Sequence, residues 1–155
     1  HIKPAVEQLG ALDLWQIAMK PGKPFAHGTV RRDAGAGVDA DRPCHFIGLP
    51  GNPVSSFVTF LLLVRPFLLK LQGATKIDVP AMSLRADFDL PRPDKRRAFL
   101  RARRNAQGGL DLFANQSSGV LTSAHWADGL IDHPAGSTIA RGDVVRFIPL
   151  AELLA

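Results

Sequence analysis

The sequence predicts a two-part fold in which an α/β segment precedes an all-β domain. The first observation is the stretch Phe46–Ser56 (FIGLPGNPVSS), where an apolar run ends in turn-forming residues and a long apolar segment begins at once. The second is that segment itself, Pro53–Leu71, which is apolar nearly all round, as a buried helix is. The third is a change of period beyond Gly73, after which apolar and polar residues alternate. We therefore expect residues 1–74 to form the α/β part and residues 75–155 the β-domain.

A helix, a strand and a hairpin are predicted before the long apolar segment. Helical spacing predicts a helix over Lys3–Leu9, and a glycine ends it. The next run, Leu12–Met19, is bounded by glycine and proline and predicts a strand. Phe25–Val30 and Cys44–Leu49 predict two strands that pair as a hairpin. The polar, glycine-rich stretch Arg31–Pro43 between them predicts an exposed loop.

The start of the long helix is marked by two residues. Asn52 occupies the N-cap position, where its side chain is expected to accept a hydrogen bond from a first-turn N–H. Pro53 occupies the first helical position, where its missing N–H costs nothing. We expect this junction to leave N–H groups free for an anion. The expected groups are those of Gly51, Val54, Ser55 and Ser56.

The interior of the helix contains a proline, and its apolar run is short. Pro66 is expected to kink or interrupt the helix, because its ring clashes with the carbonyl of Leu62. The longest apolar run, Phe57–Val64, is too short to span a bilayer. We therefore expect a core helix or a dimer contact rather than a membrane anchor.

The second part predicts several short strands separated by turns, the pattern of a small β-barrel or sandwich. The expected strands are Met82–Leu90, Phe99–Arg103, Gly109–Ala114, Gly129–Ile131 and Val144–Pro149, with a short helix over Ser118–Trp126.

Composition limits the classes of partner. The net charge of +5 favours anions, without choosing between phosphate, oxyanion and nucleic acid. The basic run Lys95–Arg104 contains an aromatic residue and could bind nucleic acid, but a charged strand edge is the commoner explanation, so no nucleic-acid partner is predicted. A single cysteine, Cys44, excludes an intrachain disulfide framework, and the histidines show no metal-ligand spacing.

The start of the chain and its location give two further expectations. The sequence begins on His1 rather than on Met, with a predicted helix already under way, so we expect a fragment or a processed chain. No secretory signal pattern opens it, so a cytoplasmic location is expected.

Two lysines provide the first candidate chemistry. Lys20 and Lys23 flank a Pro-Gly turn, which holds both ammonium groups near one point on a stiff loop. A tetrahedral oxyanion or a phosphate requires several converging donors of this kind. Both this loop and the one at Phe46–Ser56 follow predicted strands, so we expect the two to meet at the carboxyl edge of the sheet.

The motifs Met19–Ala26 (MKPGKPFA) and Gly48–Ser55 (GLPGNPVS) resemble those of the molybdopterin molybdenumtransferase family, which includes the C-terminal part of gephyrin. The resemblance covers essentially the whole chain in family order. It implies the C-terminal part of a molybdopterin-binding α/β domain followed by a small C-terminal β-barrel or sandwich domain. Weaker matches lie at Val64–Pro66, Phe99–Arg101, Asn115–Ser118 and Ala127–Ile131.

The resemblance implies a function in molybdenum cofactor biosynthesis. Members insert molybdate into adenylylated molybdopterin with release of AMP, use a divalent cation such as Mg²⁺, and act as homodimers. A molybdopterin adenylyltransferase is an implied partner, and neither nucleic acid nor a membrane is. The alternatives are a non-catalytic module that binds oxyanion or molybdopterin, and a protein scaffold.

The resemblance also implies roles for ten residues. The oxyanion pocket would be lined by Lys20, Lys23, Pro24 and Ser55 from the α/β side, and closed by Arg101 and Ser118 from the β-domain. The loop that holds the pterin would be shaped by Pro50 and Pro53, with Gly51 and Asn52 between them. No metal ligand or catalytic residue is expected in this chain, because the acidic residues that handle metal and adenylate are expected upstream of it.

Overall fold

The computed structural model describes residues 2–31 and 44–154, apart from the side chains of Leu14 and Trp15. The helices are α1 (Ile2–Leu9), α2 (Pro53–Thr59), α3 (Arg65–Leu71), α4 (Thr122–Trp126) and α5 (Leu150–Leu154). The strands are β1 (Gly10–Gln16), β2 (Met19–Lys20), β3 (Pro24–Val30), β4 (Cys44–Gly48), β5 (Met82–Arg85), β6 (Arg97–Arg104), β7 (Leu110–Leu112), β8 (Gly129–His133) and β9 (Val144–Pro149). The loop predicted over Arg31–Pro43 lies, beyond its first residue, outside the described residues.

The first sheet has three antiparallel strands in the order β1-β3-β4. The predicted hairpin is confirmed, because β3 pairs with β4 from Ala26 opposite Gly48 to Val30 opposite Cys44. Since β1 and β4 both run opposite to β3, their carboxyl ends lie at the same edge as the start of β3. The two Pro-Gly loops therefore leave the sheet at one edge, as predicted.

The second sheet begins with a strand that the sequence did not predict. The two residues of β2 leave the first sheet and pair in parallel with β6, Met19 opposite Arg97 and Lys20 opposite Ala98. The predicted strand Leu12–Met19 therefore ends too late, because β1 ends at Gln16 and Met19 belongs to β2. A buried Met19 side chain packs in the core shared with the β-domain, and this packing favours the second sheet.

The remaining strands form a small barrel, as predicted. The sheet order continues from β6 through β8 and β9 to β5, and β7 pairs with the other side of β6. A bridge between Ala86 and Leu110 joins the two ends of this path. The apolar side chains enclosed by it are Ala86, Ala98, Leu100, Ala102, Leu110, Ile131, Ile139 and Phe147.

Strand β5 is shorter than the predicted strand Met82–Leu90. Its pairing with β9 ends at Arg85 because the following N–H groups turn to different partners. Ala86 donates to the carbonyl of Asp143, whereas Asp87 donates to that of Leu110. The backbone hydrogen bonds thereby change from the β9 side to β7, so the β5–β9 ladder cannot continue.

Pro66 interrupts the long helix as predicted. The five residues Phe60–Val64 form a π-helical segment between α2 and α3, and the N–H of Arg65 donates to the carbonyl of Phe60. Proline has no N–H for the carbonyl four residues earlier, and a wider turn avoids the clash with its ring. The result is a continuous helix with a local change of pitch.

The predicted burial of this helix holds only for its first half. Val58 and Leu61 are buried, whereas α3 has no fully buried residue and exposes 55% of Leu71. The helix has 19 residues and a mean hydropathy of 1.8, so by length and composition alone it could cross a membrane. A core helix meets the same criterion, and the buried first half of this one lies in the core.

Two histidines pack α3 against the first sheet. The rings of His27 and His45 stack with their centroids 5.5 Å apart, and Phe67 of α3 contacts both edge-on at 5.3 and 4.9 Å. Aromatic contacts of this geometry are favourable beyond the area they bury. This cluster positions the exposed half of the helix.

One hydrophobic core crosses the predicted boundary between the two parts. It includes two residues of α5, a helix that the sequence did not predict. Its buried members are Met19, Val54, Val58 and Leu61 from the first part and Phe99, Leu130, Ile148, Leu150 and Leu153 from the second. The two parts are therefore packed together through apolar side chains.

Gly129 lies where a side chain has no room. A Cβ at this position would lie 2.3 Å from the Phe147 ring and 2.4 Å from the carbonyl oxygen of Ile148. We expect Gly129→Ala to lower the free energy of unfolding by about 2 kcal/mol or more in urea denaturation, because the backbone cannot yield. The control is Gly119→Ala, whose nearest neighbour would be 4.0 Å away. Equal stability of the two variants would contradict this packing.

Candidate functional site

A polar cleft of about 320 Å³ forms where four segments of the chain meet. Two of them are the Pro-Gly loops of the first part, the third precedes α4 in the β-domain, and the fourth contributes Arg96 just before β6. We call it the Pro-Gly cleft. Its lining residues are Lys20, Pro21, Gly22, Lys23, Pro24, Asn52, Ser55, Arg96, Gln116, Ser117 and Ser118. The structure therefore brings together the predicted residues Lys20, Lys23, Pro24, Asn52, Ser55 and Ser118.

A smaller cavity of about 130 Å³ lies next to the cleft and is called the inner cavity. Lys20, Pro21 and Gln116 line both spaces. Arg101 and Asp94 line only the inner cavity. Arg101 therefore lies behind the cleft wall and not on it.

Three predicted residues lie away from both spaces. Pro50, Gly51 and Pro53 belong to the second Pro-Gly loop, but none of them lines the cleft or the inner cavity. The carbonyl of Pro50 accepts a hydrogen bond from the Ser56 hydroxyl, which ties the loop to the first turn of α2. The predicted role of these residues in shaping a loop that holds the pterin stays a prediction.

The first Pro-Gly loop is packed against α2 through its glycine. Gly22 has a φ of +127°, and a Cβ there would lie 3.2 Å from the Cγ2 atom of Thr59. Thr59 is fully buried, so its side chain cannot move aside. Glycine is therefore required both by the backbone conformation and by the close approach. This packing fixes the turn that carries both lysines.

The two lysines have different surroundings. The ammonium of Lys20 donates to the Asp94 carboxylate with an Nζ–Oδ2 distance of 2.8 Å. This contact, together with the N–H of Arg96, holds the pKa of the Asp94 carboxyl below its usual value. The ammonium of Lys23 is exposed and has no side-chain partner in the described part of the chain. Neither Asp94 nor Arg96 was predicted as a site residue.

Asn52 links the two parts of the molecule across the cleft. Its side-chain amide donates to the Ser118 hydroxyl oxygen over 3.1 Å. The predicted side-chain cap of α2 is wrong, because the side-chain oxygen of Asn52 accepts no hydrogen bond from the first turn of the helix. The Asn52 carbonyl instead accepts the N–H of Ser56 over 2.8 Å, so that N–H is not free for an anion. Ser118 keeps its own hydroxyl proton for another acceptor.

Ser118 lies in a loop and not in the predicted helix. Helix α4 begins at Thr122, preceded by Leu121, so the predicted start at Ser118 is wrong by four residues. The N–H of Val120 instead donates to the Ser117 carbonyl in a turn. An exposed Ser117 and a half-buried Ser118 thus face the cleft from the β-domain.

Ser55 is the buried hydroxyl of the site. It is only 4% exposed, and its carbonyl accepts a hydrogen bond from the Thr59 hydroxyl one turn later. Within the described residues its own hydroxyl has no hydrogen-bond partner. It is therefore available to a bound molecule.

Arg101 is buried and holds the loop that contains Ser117. Its guanidinium donates to the Ser123 hydroxyl at 3.1 Å, the Ser117 carbonyl at 3.3 Å and the Phe99 carbonyl at 3.4 Å. The side-chain amide of Gln116 also pairs with both backbone groups of Arg101. Burial lowers the pKa of Arg101 to about 10, so the guanidinium stays charged at neutral pH.

No metal site accompanies these donors. The described ranges 2–31 and 44–154 contain no group of three or more His, Cys, Asp or Glu side chains that could hold a metal ion. What the cleft offers is ammonium, hydroxyl and amide donors. Such a set suits a small anion.

Replacement of Arg101 tests its positioning role. We expect Arg101→Lys to lower the free energy of unfolding by about 1–3 kcal/mol, because a lysine keeps the charge but cannot reach the Ser117, Ser123 and Phe99 oxygens together. Urea denaturation measures the loss. The matched control is Arg104→Lys, in the same strand but exposed. A loss no larger than that of the control would show that Arg101 does not hold the loop.

Two family models match the chain in succession. Residues 1–70 match the family described as "Probable molybdopterin binding domain". Residues 83–150 match the family described as "MoeA C-terminal region (domain IV)". Residues 71–82 and 151–155 lie outside both matches.

Named relatives agree with these matches. The chain is 46% identical over 71 residues to a molybdopterin molybdenumtransferase of Haemophilus influenzae, covering 46% of this chain and 15% of that protein. It is 37% identical over 128 residues to the molybdenum cofactor synthesis protein cinnamon of Drosophila melanogaster, covering 77% of this chain and 19% of that protein. The chain therefore spans less than a fifth of the length of these two relatives.

A solved structure has the same fold. The molybdopterin biosynthesis protein moeA of Pyrococcus horikoshii superposes with a TM-score of 0.72 at 27% identity, over 95% of this chain and 34% of that one. Both sequence segments and the arrangement of the sheets thus agree with one family. The chain belongs to the molybdopterin molybdenumtransferase family.

Proposed function

We propose that the chain takes part in the insertion of molybdate into adenylylated molybdopterin, with release of AMP, and that the Pro-Gly cleft binds the molybdate. The observation that supports this most is the convergence of two lysines and three serines from three separate segments of the chain on one cleft of about 320 Å³. The identity of the family and the names of the relatives agree with it.

The available donors suit a tetrahedral dianion. The Lys23 ammonium and the Ser55 hydroxyl have no partner in the described part of the chain, and Ser118 can still donate its proton. Charge-assisted hydrogen bonds to an anion are about twice as strong as neutral ones. We assign binding and orientation of molybdate to these groups. None of them has to act as a nucleophile.

Magnesium belongs to the implied reaction, but the described residues do not fit it. No cluster of three or more carboxylate, imidazole or thiol side chains occurs in residues 2–31 and 44–154. Asp94, the carboxylate at the inner cavity, is already paired with Lys20. The chemistry proposed for this chain is therefore anion binding, without a step that uses a metal.

A second function has some support from the same observation. A non-catalytic module that binds oxyanion or molybdopterin needs donors but no metal ligands, and this matches the described residues. The two functions differ in turnover. Release of AMP from adenylylated molybdopterin by the protein would identify the enzyme, and saturable binding without release would identify the module.

We further propose a homodimer, a cytoplasmic location and a molybdopterin adenylyltransferase as partner. The dimer is supported by apolar residues that the fold leaves exposed on the long helix, Phe60 at 40%, Leu68 at 39% and Leu71 at 55%. Apolar surface of this kind is typical of subunit contacts. The mass of the chain in solution tests the dimer.

We also propose a domain boundary at about residues 74–75. It is supported by the gap between the two family matches, which end at residue 70 and resume at residue 83. The shared core means that the two domains are expected to unfold together rather than in separate transitions.

Removing either lysine tests the proposed site. We expect Lys23→Ala to weaken the binding of molybdate on the order of tenfold, since Lys23 is free to bind the anion. Lys20→Ala is expected to weaken binding less, because its ammonium is shared with Asp94. Calorimetric titration with molybdate measures both affinities, and titration with sulfate shows the selectivity.

The control for these variants is Lys76→Ala, which removes the same charge from an exposed residue away from the cleft. Thermal melting should show little change for all three, since exposed lysines contribute little to stability. An affinity of Lys23→Ala equal to that of the Lys76→Ala control would place the molybdate site elsewhere.

A further inference from the structure

We propose that Asp94 competes with the bound oxyanion for the ammonium of Lys20 and so sets the anion affinity of the Pro-Gly cleft. This inference rests on the function proposed above, because it takes an oxyanion to occupy the cleft. It assigns an affinity-determining role to a carboxylate that does not line the cleft itself.

The backbone of Lys20 is fixed, and only its side chain can move. Lys20 is paired with Ala98 in the β2–β6 ladder, and the next residue, Pro21, is buried. The lysine stem is flexible and has several rotatable bonds. Since Lys20 lines both the inner cavity and the cleft, its ammonium can lie in either space.

The Asp94 carboxylate is held in place from its own loop. One of its oxygens accepts the N–H of Arg96 over 3.0 Å, and its backbone carbonyl accepts the N–H of Gly136 over 2.7 Å. The other oxygen accepts the Lys20 ammonium. An exchange of partners therefore moves the lysine and leaves the carboxylate where it is.

The ion pair is weak enough to exchange. The Lys20 side chain is 47% exposed and that of Asp94 is 28% exposed, and ion pairs in contact with water contribute little to stability. A dianion in the cleft carries twice the charge of the carboxylate and also attracts Lys23. It can therefore take the Lys20 ammonium from Asp94.

Asp94 also reduces the repulsion among the cations of the site. Lys20, Lys23 and Arg96 line the same cleft, and the buried guanidinium of Arg101 lies behind it. Among the described residues, Asp94 is the one carboxylate that lines the inner cavity, and no carboxylate lines the cleft. Asp94 pairs with Lys20 and leaves Lys23 to bind the anion. Binding of the anion then costs the Lys20–Asp94 contact.

The test compares the full chain with Asp94→Asn, Lys20→Ala and the double variant in titrations with molybdate. The introduced amide retains an oxygen for the N–H of Arg96, so the loop is preserved. We expect Asp94→Asn to bind molybdate up to about fivefold more tightly than the parent chain. In the Lys20→Ala background the same change should give a clearly smaller gain, because only the effect of the carboxylate on Arg96 and Lys23 remains. The control is Asp78→Asn, which alters net charge equally at an exposed residue.

Several outcomes would overturn the inference. Unchanged or weaker binding by Asp94→Asn would show that Asp94 positions Lys20 for the anion rather than competing with it. An equal gain in affinity in the Lys20→Ala background, or in Asp78→Asn, would show that the gain comes from the change in net charge and not from the release of Lys20. Either result leaves the proposed function standing if Lys23→Ala still loses affinity.

Failure of the proposed function gives a different pattern. If neither the parent chain nor Asp94→Asn binds molybdate, the cleft is not an oxyanion site and both proposals fall. If only Asp94→Asn binds it, competition by Asp94 is supported and the function of the native chain is not. A carboxyl-carbon NMR titration of the parent chain tests the same exchange without a substitution at Asp94. Saturation with molybdate should raise the pKa of Asp94, and an unchanged pKa would contradict the exchange.

Discussion

The pairing of β2 with β6 is the contact on which the rest of the structure depends. It contains only two residue pairs, Met19 with Arg97 and Lys20 with Ala98. Its effect is to place Lys20 in the second sheet, whereas Pro24, four residues later, begins a strand of the first. The first Pro-Gly loop therefore spans both sheets. The cleft exists because this loop, packed on α2, cannot separate from the β-domain without breaking the shared core.

The electrostatics of the site follow from the same arrangement. Cations from both parts of the molecule converge, and the buried guanidinium of Arg101 is satisfied by hydroxyl and carbonyl oxygens rather than by a carboxylate. Burying a charge in this way is costly, as the lowered pKa of Arg101 indicates. Arg101 in turn holds the Ser117 loop beside the cleft. An anion that enters is therefore met by a positive site, which supports the proposed binding of an oxyanion.

Much of this could be predicted from local sequence patterns. The two-residue period predicted the strands, the Pro-Gly motifs predicted the loops, and Pro66 predicted the interruption of the helix. What local patterns could not predict were contacts between distant residues. The strand β2 depends on β6, almost eighty residues away, and the side chain of Asn52 contacts Ser118 and makes no cap hydrogen bond. Asp94 and Arg96 were missed for the same reason, since their roles arise only when their loop meets Lys20.

The central claim is that the Pro-Gly cleft is where the oxyanion binds. A crystal of the chain grown with molybdate, and measured at the molybdenum absorption edge, locates the metal atom directly by its anomalous scattering. The account predicts one strong peak in the cleft, within hydrogen-bonding reach of Lys23, Ser55 and Ser118 through the molybdate oxygens. A strong peak elsewhere on the chain, with none in the cleft, would contradict it.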